Sequence, residues 1–185
     1  KFLGEFSGND KLLVATKSGT YRNCNFDLSN HFEDDYLIIE KFKEDKIFSA
    51  VFYDADQDYY YLKRFKMELS MKSQSFIGDN PESKLMQLTE VEYPRLELKF
   101  GGKNKDRSPE IIEVADFIGV KSFKARGKRL SSYEVDVVKE LEPLITRKEE
   151  VEEVEVIPDE VPLEVTNEEP KDGGDKPSSS NGQMS

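Results

Sequence analysis

Short apolar runs, most of them alternating with polar residues, recur along the first two thirds of the chain, and glycine, aspartate or asparagine separates them. A period of two with turn-forming residues between the runs predicts strands joined by tight turns. The first such element is a hairpin over residues 11–26, where Leu12-Leu-Val-Ala15 meets Lys17-Ser18-Gly19-Thr20 and then continues as an alternating strand. Gly19 supplies the positive φ that this turn requires. Residues 36–39 and 47–53 are two further strand-like runs, and Asp54-Ala55-Asp56-Gln57-Asp58 is a polar turn. Residues 59–67 return as a strand, with Tyr59, Tyr61, Lys63, Phe65 and Met67 on one face and Tyr60, Leu62, Arg64 and Lys66 on the other. The aromatic face is the one expected to be buried. Residues 11–67 therefore read as one four-stranded unit.

The unit recurs in degenerate form. Residues 84–88 and 95–100 are short strand candidates, a basic turn-rich stretch covers 101–109, and 111–114 and 117–123 follow as strands. Residues 124–130 then repeat the pattern of the opening hairpin, with Gly127 in the place of Gly19, so a repeat of blade-sized period organises the chain. Residues 135–142 fit either a short helix or a final strand. Beyond Pro143 valine alternates with glutamate, then proline, glycine, serine and aspartate collect. Such a mixture cannot bury enough apolar surface to offset the entropy of ordering it. The expected organisation is an all-β body over residues 1–148 and a disordered acidic tail over 149–185.

Charge sharpens that division. The 185 residues carry a net charge of −11, but the tail holds twelve acidic residues against Lys171 and Lys176, a net −10. The body is left at −1, so the acidic pI of 4.8 says little about what the body binds. Cys24 is the sole cysteine, which rules out an intrachain disulfide and a thiol-based metal cluster and fits a reducing cytosol. No apolar run approaches the roughly 18 residues of a membrane span, and the N-terminus lacks a signal-peptide pattern. The chain begins with Lys1 and not Met, and is expected to be a piece of a longer polypeptide with any catalytic centre upstream.

Catalytic chemistry finds little to build on. His31, the one histidine, stands in a polar loop without nucleophile-elbow glycines, and reads as a loop residue. Asp54, Asp56 and Asp58 have the spacing of a calcium loop but lack its glycine and its distal glutamate, so a solvated turn is the better reading. Gly101-Gly102-Lys103 lacks the Walker spacing and reads as a hairpin turn. No catalytic residue, metal or cofactor is expected in this chain.

The basic residues point elsewhere. Lys121, Lys124, Arg126, Lys128 and Arg129 place five cations within nine residues. Contacts of this kind to phosphate release counterions and give affinity with little sequence preference. Lys17 and Arg22 on the first hairpin, Lys63, Arg64 and Lys66 on the tyrosine strand, and Lys103, Lys105 and Arg107 (with Lys99) near the double glycine extend the set. Displayed on successive hairpin tips, they would form a belt that grips the DNA backbone. The bland alternative is that these side chains only solvate strand surfaces and blunt sheet edges, a reading as good as DNA contact for Lys17, Arg22 and residues 63–66.

Leu12-Leu-Val-Ala-Thr-Lys-Ser-Gly-Thr-Tyr-Arg22, continuing through residues 47–67, resembles a blade of the C-terminal domain of gyrase and topoisomerase IV A subunits. Asp116-Phe-Ile-Gly-Val-Lys-Ser-Phe-Lys-Ala-Arg-Gly-Lys-Arg-Leu130 is similar to a later blade of that family, and the likeness spans most of residues 3–135. The resemblance implies a β-pinwheel, in which four-stranded blades exchange strands and duplex DNA bends around a positive rim. At the family's blade size the body makes a partial wheel of about three blades. The cleavage tyrosine of an ATP-dependent type II topoisomerase then lies in an upstream domain, and none of the eight tyrosines here takes that role. The gyrase box, Gln-Arg-Arg-Gly-Gly-Lys-Gly, is absent, with Ala125-Arg-Gly-Lys128 at most an echo, so a topoisomerase IV type is favoured. The implied partners are double-stranded DNA and, through the full-length A subunit, the topoisomerase B subunit, in a cytoplasmic, chromosome-associated setting without a membrane. The acidic tail either competes with DNA for the basic rim or only keeps the chain in solution. The rival reading is a β-propeller-like protein interaction module with no nucleic-acid role.

Overall fold

The computed structural model describes residues 3–27, 30–32 and 34–144. The reading of 149–185 as a disordered tail lies outside the described residues. Strands dominate: β1 (Lys11–Thr16), β2 (Thr20–Asn25), β3 (Tyr36–Lys41), β4 (Ile47–Asp54), β5 (Tyr59–Lys66), β6 (Gln74–Ser75), β7 (Lys84–Thr89), β8 (Arg95–Phe100), β9 (Glu110–Glu113), β10 (Lys121–Ser122), β11 (Lys128–Ser131) and β12 (Val135–Leu141). One helical turn, α1 (Val114–Phe117), and a 3-10 turn at Gly102–Asn104 interrupt them. The expected all-β class holds, and the sheets stay open, as in a partial pinwheel.

One rule builds all three sheets. A hairpin comes first: β1–β2, β4–β5 and β8–β9 each pair antiparallel. The hairpin's first strand takes a later strand on its outer side, β3 on β1, β7 on β4 and β12 on β8. Its second strand takes a segment that returns only after the chain has made the next hairpin. Thus β6 comes back from beyond β5 to pair with β2, and β10 and β11 come back from beyond β9 to pair with β5. Among the described residues β9 has no such fourth strand. This is the blade-to-blade strand exchange that the resemblance implied, and it corrects the reading of residues 11–67 as a single unit: β1 to β3 belong to the first sheet, β4 and β5 to the second.

Local chemistry explains the hairpins. Gly19 adopts φ +77 between β1 and β2, and its amide closes the turn on the Thr16 carbonyl at 3.1 Å. A side chain there would also run into Ile77. The hydroxyls of Thr16 and Thr20, 2.8 Å apart, tie the two strand ends across the turn.

Burial follows from stacking the sheets. Leu13, Ala15 and Tyr21 of the first sheet pack with Phe48, Phe52, Phe65 and Met67 of the second, and the returning Phe76, Ile77 and Phe123 fill the seam. On the other side of the second sheet, Val51 and Leu62 pack with Leu96, Val114 and Ile118. The aromatic face of β5 is buried as expected, but Leu62 and Arg64 of the opposite face are buried too, because β5 lies in the middle layer. Each large apolar side chain so buried contributes on the order of 1.5–3 kcal/mol.

Two further expectations change. Residues 117–123 do not form a strand: α1 takes the start and only Lys121–Ser122 pairs. Residues 121–130 do not fold on themselves as the opening hairpin does, since β10 runs parallel and β11 antiparallel to the same strand, β5. Residues 135–142 resolve as strand β12.

Candidate nucleic-acid interface

The returning segment brings five exposed cations to one edge of the second sheet, beside Lys66 of β5. Lys121 lies opposite Phe65 and Ser122 opposite Lys66, while Lys128 and Arg129 lie opposite Leu62 and Tyr61. Lys66, Lys121, Lys124, Arg126, Lys128 and Arg129 are all exposed. Gly127 makes the approach possible: at φ +97, a Cβ would strike the Leu62 carbonyl, so only a glycine lets this loop lie against β5. Gly127 does share the positive φ of Gly19, whose place the sequence pattern gave it, but it serves this close approach and not a hairpin turn.

These cations differ in how free they are. Arg126 forms an ion pair with Asp54, Nε to Oδ2 2.8 Å. Lys128 donates to the Phe117 carbonyl at 3.2 Å and sits 4.3 Å from the Phe117 ring centre. Arg129 lies 3.7 Å from the ring centre of Tyr59, and Lys124 5.6 Å from that of Phe123. Cation–π contacts leave the charge on the surface and stiffen its carrier, whereas the ion pair neutralises it.

Lys63 and Arg64 leave the candidate set. Lys63 is only 2% exposed, and its Nζ donates to the Phe76 carbonyl at 2.6 Å and the Phe123 carbonyl at 2.5 Å. Burial pushes its amine down to about 8. Arg64, 8% exposed, donates from Nη2 to the Glu92 carbonyl at 2.5 Å. Both charges face inward because β5 is covered on both sides, so a DNA backbone cannot reach them.

The remaining candidates scatter. Lys17 is exposed at the β1–β2 turn, and Arg22 is half-buried on β2, lining a cavity of about 320 Å³ with the exposed His31 and Tyr36 and the half-buried Asp35. Lys103 and Lys105 are exposed on the β8–β9 connection. Arg107 is held by Glu110, 2.9 Å from Nη2, and lies 4.5 Å from the Tyr133 ring centre. Lys99 pairs with Glu97 at 3.7 Å.

The tips of the three hairpins therefore alternate in sign. Lys17 marks the first and Lys103 with Lys105 the third, but the β4–β5 tip carries Asp54, Asp56 and Asp58. Each acid is engaged: Asp54 by the amide of Asp56 at 3.0 Å and by Arg126, Asp56 by Asn80 at 2.6 Å, and Asp58, at φ +55, by the Tyr53 hydroxyl at 2.7 Å. Cations on every successive tip, as the sequence suggested, do not occur. Among the described residues no group of three or more His, Cys, Asp or Glu side chains is placed to hold a metal ion. A cavity of about 570 Å³ lies between the acidic tip and the two returning segments, walled by Phe52, Asp54, Lys63, Phe76, Phe123 and Arg126.

Two contacts in this region went unread, one of them without any signal in the sequence. The Asp54–Arg126 pair joins residues far apart in the chain and leaves no local trace. The burial of Lys63 did leave one, since alternation placed it on the same face as Tyr61, Phe65 and Met67.

Open sheets linked by returning strands, with a run of exposed cations along one edge, define an all-β module of pinwheel-like type. The comparison with family models then fixes its kinship: residues 1–142 match the topoisomerase C-terminal domain family of Bacteroidota, and the chain belongs to that family. The comparison with curated proteins returns no match. Among the described residues no helix is long and apolar enough to cross a membrane.

Proposed function

We propose that this domain holds duplex DNA for a type II topoisomerase whose catalytic core lies upstream in the A subunit. It acts through sugar-phosphate contacts and the cost of bending DNA, so that it biases which crossings the enzyme captures. The observation that carries the reading is the row of exposed cations, Lys66, Lys121, Lys124, Lys128 and Arg129 with Arg126, along the edge of β5. Lys17, Lys103 and Lys105 extend it where the duplex passes the first and third hairpins. The topoisomerase B subunit joins through the A subunit, no cofactor is needed at this surface, and the setting is the cytoplasmic chromosome. Lack of the gyrase box supports a topoisomerase IV type over chiral wrapping.

Fluorescence anisotropy on a labelled duplex, read across ionic strengths, tests this. Reversing Lys121, Lys124, Arg126, Lys128 and Arg129 to Glu is expected to weaken binding more than tenfold near 0.1 M salt and to flatten the salt slope by about 3 to 4. Binding that survives the reversal would sink the proposal. The acidic β4–β5 tip favours a second reading, a protein interaction module, which the same variant separates because duplex binding would then be weak in the parent as well.

A further inference from the structure

We propose that Asp54 is an internal competitor for DNA phosphate at Arg126, so that the cationic edge of the second sheet meets the duplex with one guanidinium withheld. The inference rests on the DNA-binding reading and adds to it a residue that sets affinity. It comes from an asymmetry in the pair. The Asp54 side chain is 8% exposed and fixed at the end of β4, where its Oδ1 accepts the amide of Asp56 at 3.0 Å; the Arg126 side chain is 52% exposed and reaches it from the returning segment. The acid belongs to the wall, and the arginine is the mobile member.

A carboxylate and a phosphate offer a guanidinium the same kind of paired anionic oxygens. With Oδ2 2.8 Å from Nε, Asp54 occupies the place a backbone phosphate would take beside Arg126. The other two acids of the tip are engaged elsewhere, Asp56 with Asn80 and Asp58 with Tyr53. Lys124 and Lys63 line the same cavity, but Lys63 is spent on two carbonyls. A phosphate that takes the Nε side of Arg126 therefore has to displace Asp54. The pair is exposed on its arginine side only, and when Arg126 leaves, Asp54 keeps the Asp56 amide as a donor, so the competition is expected to be worth about fivefold in affinity.

The test measures duplex affinity across salt for the full chain and for D54N, D56N, R126A and D54N/R126A. Asn at 54 keeps an oxygen for the Asp56 amide, and thermal melts check that each variant folds. D54N is expected to bind up to about fivefold more tightly at low salt, with the salt slope steeper by about 0.9. D56N removes the same charge from the same tip and is expected to gain less; R126A is expected to abolish the D54N gain. Equal gains for D54N and D56N would reduce the effect to long-range charge and overturn the competitor, as would a D54N gain that persists without Arg126. Should D54N misfold, R126A against K124A in the parent decides: the competitor requires R126A to cost less. A parent chain that is folded and binds no duplex overturns the DNA-binding reading instead, which separates the two failures.

Discussion

At Lys63 an ammonium group lies 4.9 Å from the ring centre of Phe65 and 5.9 Å from that of Phe52, and donates to carbonyls from two different returning segments. One charged side chain thus fastens β6 and the β10–β11 segment to the same strand. The cost is desolvation, which pushes the amine down to about 8 from its ordinary 10.5. Between those two values the unfolded chain keeps a proton that the folded amine has released, so this residue makes stability rise with pH through that window. Cys24 and Tyr21, whose thiol and phenol burial pushes upward, act in the opposite direction at the alkaline end. The prediction is therefore a difference: from pH 7.5 to 10, the urea midpoint of the parent is expected to climb relative to that of K63M. Parallel midpoints would show that the amine titrates as it does in water. Period-two alternation had placed Lys63 among Tyr61, Phe65 and Met67, so its burial was legible; that its partners are main-chain oxygens from residues 76 and 123 was not.

Strands and their turns were the most legible level, because alternation and turn chemistry are local. The hairpins at Gly19 and at residues 54–58 and the short strands at 84–89 and 95–100 follow directly from that pattern. Which sheet a strand joins was not legible. β6 and β10 are two residues each, and what holds them is a phenylalanine inserted into a seam made by other sheets, a non-local fact with no signature in the segment itself. The cationic run at 121–129 was visible as composition, and its role as a returning segment was hidden by its likeness to the first hairpin. Gly127 is the pivot of that segment. G127A is expected to cost at least about 1–2 kcal/mol from its positive φ alone, with more from the contact against the Leu62 carbonyl. Hydrogen exchange should show the loss concentrated in β11 and the facing half of β5; a variant as stable as the parent would mean that the loop can be repositioned at no cost.

For the whole molecule, electrostatics divides by region. The body carries a net −1 and the segment 149–185 a net −10; on the DNA-binding reading proposed above, such a tethered polyanion would compete with the duplex for the cationic edge, most strongly where screening is weak. Removing residues 149–185 is accordingly expected to tighten duplex binding at 50 mM salt and to leave it nearly unchanged at 300 mM. Identical affinity at both would assign the segment to solubility alone. Among the described residues β9 carries no outer partner, and its brevity and charges blunt that edge, since the four-residue strand begins with Glu110 and ends with Glu113, held by Arg107 and Arg95.

Strand return also dictates how such a chain can be shortened. A cut placed after β9 would remove not one module but two pieces of work: the third sheet would lose β12, and the second would be left with the flank of β5 bare and Lys63 short of the Phe123 oxygen. The first and second sheets are each finished by residues that lie beyond the next hairpin, as a clasp is closed from the next link. Truncation series on this protein should therefore fail in steps that do not coincide with sheet boundaries.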